Sequence, residues 1–479
     1  MTSGAVAAVD LGATSGRVVV GHVDGASVRL DVVERFPNTP VLHWEGSADG
    51  LHWDILGLYR SIQSGLRAAV LHTPGLQSVG VDSWGLDYGL LRDGALLGNP
   101  YNYRDERTAA GVAAAHARVA PEELYGINGL QVMPINSIYQ LSADRLAGSL
   151  APGDTALLIP DLITYWLTGE RIAERTNAST TGLLDVRTGA WSTSLAERLG
   201  LPSGLFPGLV EPGSSIGALL PSLAREVGAA LPVHTVGSHD TASAVVGVPA
   251  ADEEFAYVSC GTWALVGVEV EHPVLTEAGR AANFTNEGGV DGRVRYLQNI
   301  MGLWLQSECI RAWEHDGLVV DLPALLAEAA ALSTFSLFDA NDPRLLARGD
   351  MPARIAACCV EAGQPAPTSP ASFVRAIAES LAEGFARAVR EASSLSGRSV
   401  RVIHIVGGGA QNALLCQLTA DRSGLPVVAG PVEATALGNV LVQARAVGLA
   451  AGSLESLRAT VAASTTPHTF RPRHGGDRG

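Results

Sequence analysis

The sequence predicts an α/β protein built from two large domains of similar plan. Three observations support this: the length, the mixture of strand and helix patterns in both halves, and an internal repeat. The 479 residues would fill about three average domains or two large ones. The repeat consists of Ala8 to Val20 and Tyr257 to Val268, which each read as a strand, a glycine turn and a second strand. Half the chain is too long a period for a solenoid, so the repeat indicates two domains that open with a hairpin; chance similarity is the alternative.

The C-terminal half contains the clearest helix and the clearest buried strand. From Phe373 to Val389 a large apolar residue recurs at every fourth position, which predicts a core-facing helix. Ser369 is its expected N-cap and Pro370 its first residue. Arg401 to Val406 is a run rich in β-branched residues, and such a run is typical of a buried strand.

A break in the apolar pattern from Gly247 to Glu254 predicts the domain boundary. This stretch contains a proline, two alanines and three acidic residues. We therefore expect an N-terminal domain over residues 1–248 and a C-terminal domain over residues 249–463. Residues 464–479 carry proline, glycine, arginine and histidine without periodicity, so we expect a mobile tail.

Charge and composition exclude several classes of protein. Lysine and arginine number 33 against 48 aspartates and glutamates, which gives a net charge of −15. Such a chain has no basic stripe to bind a nucleic acid or an anionic lipid surface, so we expect neither as a partner. Apolar residues make up 47% of the chain and charged residues 17%, which excludes a mostly disordered protein.

We expect a cytoplasmic protein without a membrane span or disulfides. No cationic segment precedes Asp10, so the N-terminus does not resemble a secretory signal. No run of about 20 apolar residues is present that would span a membrane. The 5 cysteines are odd in number and scattered, and none has the C-x-x-C spacing of a zinc site, so they favour a reducing compartment.

The turn from Asp10 to Arg17 is the first candidate site. Its two glycines let backbone N–H groups approach an anion, and its threonine and serine add hydroxyl donors. A strand follows instead of a helix, so the turn is not a P-loop. Asp10 would repel a phosphate here unless a divalent cation such as Mg²⁺ lay between them. The alternative is an ordinary hairpin in which Asp10 caps its own turn.

The segment from Val233 to Val246 is the second candidate. Its Ser-His-Asp-Thr run, residues 238–241, lies where a strand ends and a helix is expected to begin. Ligands of open α/β sheets bind at the carboxyl ends of strands, and Asp240 at this place could accept a proton from a hydroxyl that attacks phosphorus. The alternative is that Asp240 caps the helix and that His239 is a surface or capping residue.

Two glycine-bearing segments complete the pattern. Gly407 to Gly409 follow the predicted buried strand, so a phosphate or a flat group could lie against bare backbone; a flexible turn is the alternative. Leu76 to Val81 and Leu86 to Leu91 predict two strands of a hairpin around Trp84. The Trp84 ring could stack on a sugar or lie in the core.

In combination and in this order, these motifs resemble the FGGY carbohydrate kinases over nearly the whole chain. The segments that carry the resemblance are VDLGATSGR (Val9 to Arg17), HWDI (His52 to Ile55), GVDSWGLDYGLL (Gly80 to Leu91), YRDERT (Tyr103 to Thr108), NSIYQL (Asn136 to Leu141), IPDLITYWLTGE (Ile159 to Glu170), NASTTGLLD (Asn177 to Asp185), GSHDTASAV (Gly237 to Val245), SCGTW (Ser259 to Trp263), QNIMGLWL (Gln298 to Leu305), HIVGGGAQN (His404 to Asn412) and AGPVEATALGN (Ala429 to Asn439).

The resemblance implies a two-domain, actin-like ATPase (ribonuclease H-like) fold with an interdomain cleft. The N-terminal domain would form the sugar and phosphate side and the C-terminal domain the nucleotide side. The segments QNIMGLWL, GSHDTAS and AGPVEATALGN are similar to those of the rhamnulose branch of the family. They imply Mg²⁺-dependent transfer of the γ-phosphoryl group of ATP to the 1-hydroxyl of L-rhamnulose, in L-rhamnose catabolism.

The resemblance also implies a role for individual residues. Asp240 would be the general base and Asp10 the carboxylate on the Mg²⁺ side. The expected phosphate contacts are Ala13, Thr14, Ser15, Gly16 and Arg17, followed by Thr262, and Gly408 would lie against the adenosine. The expected sugar contacts are Gly85, His239, Asp240, Thr241 and Asn299. Ser307 stands where family members have a glutamine near the nucleotide, with Gln306 one position earlier; the serine could still reach the nucleotide through water.

Other functions remain open at this point. A sibling kinase acting on fuculose, xylulose or glycerol would share the ATP motifs and differ around Trp84, Gly85 and Asn299. A catalytically silent sugar sensor on the same fold is disfavoured by the intact Asp10 and Asp240. A NAD-dependent oxidoreductase is disfavoured because no G-x-G-x-x-G follows the first strand.

Overall fold

A computed structural model describes residues 3–473 and shows an α/β protein. The chain divides into two compact units. The first unit contains residues 3–251, Glu269–Tyr296 and Ala434–Ser464, and the second contains Asp252–Val268, Leu297–Glu433 and residues 465–473. The chain therefore leaves the first unit close to the predicted boundary and returns to it twice.

Strands and helices alternate through residues 3–251. The strands are β1 (Gly4–Leu11), β2 (Ser15–Val23), β3 (Val28–Pro37), β4 (Val41–Trp44), β5 (Asp49–His52), β6 (Val79–Ser83), β7 (Tyr88–Arg92), β8 (Ala95–Leu96), β9 (Thr155–Leu158), β10 (Ala173–Glu174), β11 (Leu184–Asp185), β12 (Ala190–Trp191), β13 (Leu209–Val210), β14 (Ser215–Ala218) and β15 (Pro232–His234). The helices are α1 (Ile55–His72), α2 (Thr108–His116), α3 (Pro121–Asn128), α4 (Ser137–Leu146), α5 (Ile159–Thr168), α6 (Arg175–Ala178), α7 (Thr193–Leu199), α8 (Pro221–Val227) and α9 (Asp240–Val246).

Residues 252–473 continue the alternation. The strands are β16 (Phe255–Cys260), β17 (Trp263–Val270), β18 (Thr285–Gly288), β19 (Val294–Met301), β20 (Val402–Val406), β21 (Val427–Ala429) and β22 (His468–Phe470). The helices are α10 (Glu277–Ala281), α11 (Trp304–His315), α12 (Leu322–Ala331), α13 (Met351–Glu361), α14 (Pro370–Ser396), α15 (Ala413–Ser423), α16 (Ala434–Ala446) and α17 (Leu454–Ser464), with 3₁₀ turns at Val290–Gly292, Pro343–Leu346 and Gly408–Gln411.

The first unit is organised around a sheet with the strand order β14-β15-β6-β1-β2-β3. The predicted β1–β2 hairpin is confirmed, and β6 lies parallel to β1 while β15 lies parallel to β6. Parallel strands end at the same edge of a sheet. Asp10 is accordingly paired in register with Asp82, and Ser83 forms a parallel bridge with His239. The sheet thus brings the ends of β1 and β6 to the start of α9.

A helix from the C-terminal part of the chain covers this sheet. Val6 and Ala8 of β1 pack in one buried cluster with Val440 and Leu441 of α16. α16 also packs directly on the backbone of α9, since a Cβ added to Gly438 would overlap with the carbonyl oxygen of Ser243. α16 therefore fixes the position of α9 relative to β1.

The second unit repeats the strand order of the first. Its strands run β19-β17-β16-β20-β21-β22, with β16 antiparallel to β17 and parallel to β20. The predicted β16–β17 hairpin and the predicted buried strand β20 are therefore confirmed. α14 begins at Pro370 with Ser369 as N-cap, as predicted.

Two predictions of local structure are wrong. β7 pairs with β8 and β9 in a separate sheet, so β6 and β7 do not form a hairpin. The reason is that β6 pairs with β1 and β15 on its two edges, and in the segment between β6 and β7 Trp84 Nε1 donates to Asp87 Oδ2 at 3.0 Å. In the predicted mobile tail, β22 pairs with β21; residues 474–479 of that tail lie outside the described part.

The cysteines and helices give two further findings. Cys260, Cys309, Cys358, Cys359 and Cys416 are all free thiols and buried. No helix within residues 3–473 is long and apolar enough to cross a membrane.

Candidate active site

Asn38, which the sequence analysis did not single out, holds the turn between β1 and β2 in shape. The Gly12 backbone N–H donates to the Ser15 carbonyl oxygen at 2.9 Å and closes the turn. Asn38, which directly follows β3, donates from its side chain to the Gly12 carbonyl oxygen at 2.8 Å and from its backbone to the Thr14 carbonyl oxygen at 3.0 Å. Thr14 is exposed, and Ala13 is partly exposed. The turn therefore presents backbone and a hydroxyl to solvent.

Gly16 and Arg17 continue this turn into β2. A Cβ added to Gly16 would overlap with the Phe36 ring, so no larger residue fits without displacing that ring. Arg17 Nε lies 3.4 Å from Asp10 Oδ2, and the two side chains are 18% and 5% exposed. Arg17 thus brings one positive charge to the carboxylate at the end of β1.

Asp82 places a second carboxylate beside Asp10. Its Oδ2 accepts a hydrogen bond from Asn439 Nδ2 at 2.5 Å, whereas its Oδ1 is buried and has no hydrogen-bond partner within residues 3–473. Burial and the negative charge of Asp10 raise the pKa of Asp82 well above its usual value, and Asp240 adds to this effect. Three carboxylates therefore act on one another at the end of the sheet.

This arrangement fits a hard divalent cation. Mg²⁺ binds one or two carboxylates and otherwise keeps water or phosphate oxygens. Asp10 and Asp82 are adjacent across β1 and β6, and the unpartnered Oδ1 of Asp82 is the kind of buried acceptor that a cation would satisfy. Asp82 could have been found from the sequence, because an aspartate is the second-last residue of β6 as it is of β1.

Asp240 is the first residue of α9, and His239 occupies the N-cap position. The alternative in which Asp240 caps the helix is therefore not what the structure shows. The Asp240 side chain is 28% exposed and accepts a hydrogen bond from Thr241 Oγ1 at 3.2 Å. Burial raises the pKa of Asp240 above its usual value, while His239 and the bonds from Thr241 act in the opposite direction.

His239 is oriented by a buried arginine that the sequence analysis missed. Arg295 on β19 is 0% exposed, and its Nη2 lies 3.0 Å from His239 Nδ1. Arg295 Nε also donates to the Gly288 carbonyl oxygen at 2.9 Å, and Arg295 Nη2 lies 3.2 Å from Glu287. His239 Nε2 faces Asp240 Oδ1 at 3.6 Å. The only sequence signal for Arg295 was a charged residue inside an apolar strand.

Glu174 anchors the chain just before α9. Its buried carboxylate accepts hydrogen bonds from the backbone N–H of Ser238 at 3.1 Å and from the Ser238 hydroxyl at 2.6 Å. It also accepts from the backbone of Thr176 at 2.9 Å. Burial raises the pKa of Glu174, although the hydrogen bonds from Ser238 and Thr176 oppose that rise. Glu174 therefore ties α6 to the segment that carries His239.

Gly85 lies beside the same segment. Asn177 Nδ2 donates to the Ser238 carbonyl oxygen at 3.2 Å and approaches the Trp84 carbonyl oxygen at 3.5 Å. A Cβ added to Gly85 would come within 3.0 Å of Thr180 Oγ1. Trp84 itself is 5% exposed and packs on Trp53 with 4.3 Å between ring centroids. Trp84 is therefore a core residue, which was the alternative to a sugar-stacking ring.

The second unit brings together the residues predicted to contact the nucleotide. The Leu303 backbone N–H donates to the Gly261 carbonyl oxygen at 2.9 Å, and the Ser307 N–H donates to the Leu303 carbonyl oxygen at 2.9 Å. A Cβ added to Gly408 would come within 3.8 Å of the Leu303 side chain. Thr262 follows Gly261 in the β16–β17 turn. These residues therefore lie around Leu303, which the sequence analysis did not single out.

The remaining predicted residues differ in exposure. Ser307 and Gly408 are exposed, and Asn299 on β19 is partly exposed. Gln306 is 7% exposed, so it does not take the place of the glutamine that Ser307 replaces. The Cβ position of Gly409 is blocked by Cys260, whose Cβ atom would lie 2.5 Å away, so the glycines at this turn allow close approach to β16.

Taken chemically, the first unit offers three carboxylates, an arginine and a backbone turn at one edge of its sheet. A base at a strand-to-helix junction can accept a proton from an alcohol. Paired carboxylates can hold a divalent cation that neutralises phosphate charge. The set is suited to phosphoryl transfer, which depends on positioning and charge neutralisation.

Family models match both halves of the chain. Residues 5–247 match the N-terminal domain of the FGGY family of carbohydrate kinases, and residues 256–447 match the C-terminal domain. A protein named rhamnulokinase from Bacteroides thetaiotaomicron is 41% identical over 471 residues, which cover 97% of this chain and 95% of the relative. Another protein of that name, from Pectobacterium carotovorum, is 42% identical over 479 residues, with 98% and 94% covered.

Solved structures of sugar kinases have the same two-domain, actin-like fold. A ligand-bound xylulose kinase from Lactobacillus acidophilus gives a TM-score of 0.76 at 17% identity, with 98% of this chain and 94% of that chain covered. A glycerol kinase from Plasmodium falciparum with ADP gives 0.75 at 15% identity, with 98% and 94% covered. At these identities the likeness establishes the fold alone. The two family models and the full-length relatives settle the classification: this chain belongs to the FGGY family of carbohydrate kinases.

Proposed function

We propose that this carbohydrate kinase transfers the γ-phosphoryl group of ATP to O1 of L-rhamnulose. The products would be ADP and L-rhamnulose 1-phosphate, in L-rhamnose catabolism. The observation that carries the proposal is the identity of 41% over 97% of the chain to a relative named rhamnulokinase. The position of Asp240 at the start of α9, beside Asp10 and Asp82, supports the chemistry.

In this proposal Asp240 is the general base. The O1 hydroxyl of the sugar attacks the γ-phosphorus, the bond from that phosphorus to the bridging oxygen of ADP breaks, and the O1 proton passes to Asp240. The carboxylate is 28% exposed, so a sugar hydroxyl can reach it. Its raised pKa makes it a stronger base than an ordinary aspartate, which favours proton transfer.

We assign the divalent cation to Asp10 and Asp82. Mg²⁺, when bound, would neutralise charge on the phosphate groups of ATP. Arg17, 3.4 Å from Asp10, would add a second positive charge for the γ-phosphate. Ala13, Thr14, Ser15 and Gly16 would bind the phosphates through the backbone and hydroxyls of their turn.

The sugar and the nucleotide would use different sets of residues. His239, Thr241, Gly85 and Asn299 are the proposed sugar contacts, and Arg295 would fix the orientation of His239. Thr262, Gly408 and Ser307 are the proposed nucleotide contacts. Ser307 is exposed, so we expect its contact with the nucleotide to pass through water. We also propose a cytoplasmic location, where ATP is available and free thiols stay reduced.

A coupled ADP-release assay tests the reaction and the substrate. The chain is supplied with ATP, Mg²⁺ and, in separate reactions, L-rhamnulose, L-fuculose, D-xylulose and glycerol. We expect kcat/KM to be highest for L-rhamnulose and the phosphorus NMR signal of the product to match a 1-phosphate. A higher kcat/KM for xylulose or glycerol would overturn the substrate, and the absence of sugar-dependent ADP release with all four would overturn the reaction.

A further inference from the structure

We propose that His43, Glu45 and His52, none of which is assigned to the kinase reaction, form a binding site for a divalent transition-metal ion of the zinc type. His43 lies on β4, His52 lies on β5, and Glu45 lies in the turn between these strands. Each of the three side chains offers a ligand atom, and these atoms lie within 4.8 Å of one another. Such a set of two imidazoles and one carboxylate is a common set of zinc ligands.

The backbone of the hairpin allows the side chains to meet. His43 is paired in register with Gly50. A Cβ added to Gly50 would lie 2.5 Å from the Glu45 carboxyl carbon and 2.8 Å from His52 Nε2. Gly50 therefore lies directly beside Glu45 and His52. Because it has no side chain, it leaves the space in which their ligand atoms face each other.

The ring of His52 is fixed in an orientation suited to a metal ligand. His52 is 6% exposed, and its Nδ1 lies 2.9 Å from the Asn99 carbonyl oxygen. A carbonyl oxygen can only accept, so Nδ1 carries the proton and Nε2 is left for another partner. Metal-bound histidines characteristically donate their other ring N–H to a carbonyl or carboxylate in this way.

The contact between His52 and Glu45 requires a proton or a metal ion on the histidine nitrogen. His52 Nε2 lies 2.8 Å from Glu45 Oε1, and with Nδ1 already donating, this contact is favourable only if a second proton or a metal ion binds Nε2. The Tyr101 hydroxyl donates to Glu45 Oε2 at 2.8 Å. Tyr101 and His52 therefore hold the two carboxylate oxygens of Glu45 in place.

The ligand set selects the class of metal. Mg²⁺ prefers oxygen ligands in an octahedron, whereas imidazole nitrogen favours Zn²⁺ and its neighbours in the first transition row. The exposed His43 gives an ion access from solvent, and its ring stacks on the His52 ring with 4.7 Å between centroids. Arg107 lies over the Tyr101 ring at 4.0 Å and bonds to Asp144, so its charge is already compensated.

A second cluster on the surface serves as a comparison. His22, Asp31 and His72 also lie within 4.8 Å of one another. Both histidines hydrogen-bond to the same oxygen of Asp31, at 3.1 and 3.2 Å, and Arg29 forms an ion pair with the other oxygen. An arginine thus already neutralises this carboxylate, and no backbone carbonyl is seen to orient either ring in residues 3–473. We expect no metal binding there.

Titration of the full chain with Co²⁺ and Zn²⁺ tests the proposal. The experiment is done without nucleotide and in excess Mg²⁺, so its outcome is independent of the kinase reaction. We expect one Co²⁺ per chain, with the visible absorption of a nitrogen-bound ion, and displacement of this ion by Zn²⁺. His43→Gln, at an exposed position, and Glu45→Gln should each weaken Co²⁺ binding by at least about tenfold. His72→Gln, in the comparison cluster, should leave it unchanged.

Each of the other outcomes overturns the proposal. If the wild-type chain shows no Co²⁺ absorption, the His52–Glu45 contact is a protonated ion pair. If His43→Gln binds Co²⁺ as tightly as the wild type, or if His72→Gln loses the ion instead, the ion lies elsewhere. Circular dichroism of His43→Gln and Glu45→Gln should match the wild type, which separates a lost ligand from a lost fold.

Discussion

Arg295 Nη2 lies 3.0 Å from His239 Nδ1, and Glu287 Oε2 lies 3.4 Å from the same nitrogen. A guanidinium can only donate hydrogen bonds, so Nδ1 accepts from Arg295 and we expect the ring proton on Nε2. Nε2 is the atom that faces Asp240, at 3.6 Å. Arg295 touches neither the sugar nor the phosphate in the proposed mechanism. It is therefore a positioning residue, which acts on the base through His239.

Arg295→Lys should lower kcat by about 10- to 100-fold, the range for residues that orient a ligand-binding side chain. Lysine lacks the planar guanidinium with its several N–H donors, so it cannot donate to His239 and to the Gly288 carbonyl oxygen at the same time. Steady-state kinetics measures kcat and KM, and we expect an unchanged KM for ATP. The nitrogen NMR signals of His239 report its tautomer, which we expect to change in the variant. Arg293→Lys is the matched control, because Arg293 pairs with Glu455 at 2.8 Å on the surface and should retain wild-type kcat. An unchanged His239 tautomer in Arg295→Lys would contradict the assignment.

Asp240→Asn should retain binding of ATP and sugar but lose about 10²- to 10⁴-fold in kcat, as expected for a lost general base. The amide is nearly the same size as the carboxylate but cannot accept a proton from the sugar hydroxyl. Calorimetry measures the two affinities and the coupled assay measures kcat. Asp252→Asn, at an exposed position paired with Arg401, is the control and should behave as the wild type. Turnover near the wild-type value in Asp240→Asn would remove Asp240 from the chemistry.

Asp82→Asn should weaken Mn²⁺ binding in the presence of ATP, measured by electron paramagnetic resonance of the free ion. The amide keeps one acceptor oxygen but loses the negative charge that we assign to the cation. We expect at least about a tenfold loss of affinity. Asp161→Asn is a matched control, since Asp161 is also a buried aspartate with one hydrogen-bonded oxygen and one unpartnered oxygen within residues 3–473, but it is not paired with Asp10 as Asp82 is. Equal Mn²⁺ affinity in both variants would exclude Asp82 as a ligand.

The local parts of the fold could be predicted from the sequence. The β1–β2 and β16–β17 hairpins and the start of α14 follow from patterns within about ten residues, where local propensity decides the structure. The places of Asp10 and Asp240 in the fold follow from local patterns too, because Asp10 lies near the end of a recognisable strand and Asp240 begins a helix. The predicted β6–β7 hairpin does not form because β6 pairs with β1 and β15 and β7 pairs with β8 and β9, and a local pattern does not report pairing with distant strands.

The rest of the candidate site depends on pairing between distant segments. Asp82 meets Asp10 only through the parallel pairing of β1 with β6, and Asn439 reaches Asp82 from a helix 357 positions later in the chain. His239 and Arg295 are 56 positions apart. Such contacts are set by tertiary packing, so a single sequence provides the residues but not their partners.

The stability of the chain should depend on the protonation of Asp87. Burial raises the pKa of Asp87 to about 6, even though Gln140, Trp53 and Trp84 donate hydrogen bonds to it. The folded state therefore binds more protons than the unfolded chain between about pH 4 and pH 6, and stability is lost as the pH rises through this window. A shift of this size corresponds to about 3 kcal/mol.

Asp87→Asn isolates this effect, because an amide does not titrate. The variant should be less stable than the wild type at acid pH, since its NH₂ group faces donors such as Trp53 Nε1. The difference in Tm between the wild type and Asp87→Asn should narrow as the pH rises from about 4 to about 7, because only the wild type loses stability when Asp87 ionises. Calorimetry across this range measures the two curves, and a difference that stays constant or widens with pH would show that Asp87 is ionised throughout.

Gly438→Ala should destabilise the first unit and lower activity, because α16 contacts the backbone of α9 at this position. The added Cβ would overlap with the Ser243 carbonyl oxygen, a backbone atom that cannot move without shifting the helix that begins at Asp240. Overpacking of this kind costs about 1–3 kcal/mol. Gly126→Ala is the matched control: Gly126 lies within α3 with open space around its Cβ position, so alanine should stabilise by about 0.5–1 kcal/mol. Thermal unfolding and kcat are measured for both. If the two variants change Tm in the same direction, the close packing of α16 on α9 does not fix the position of the base.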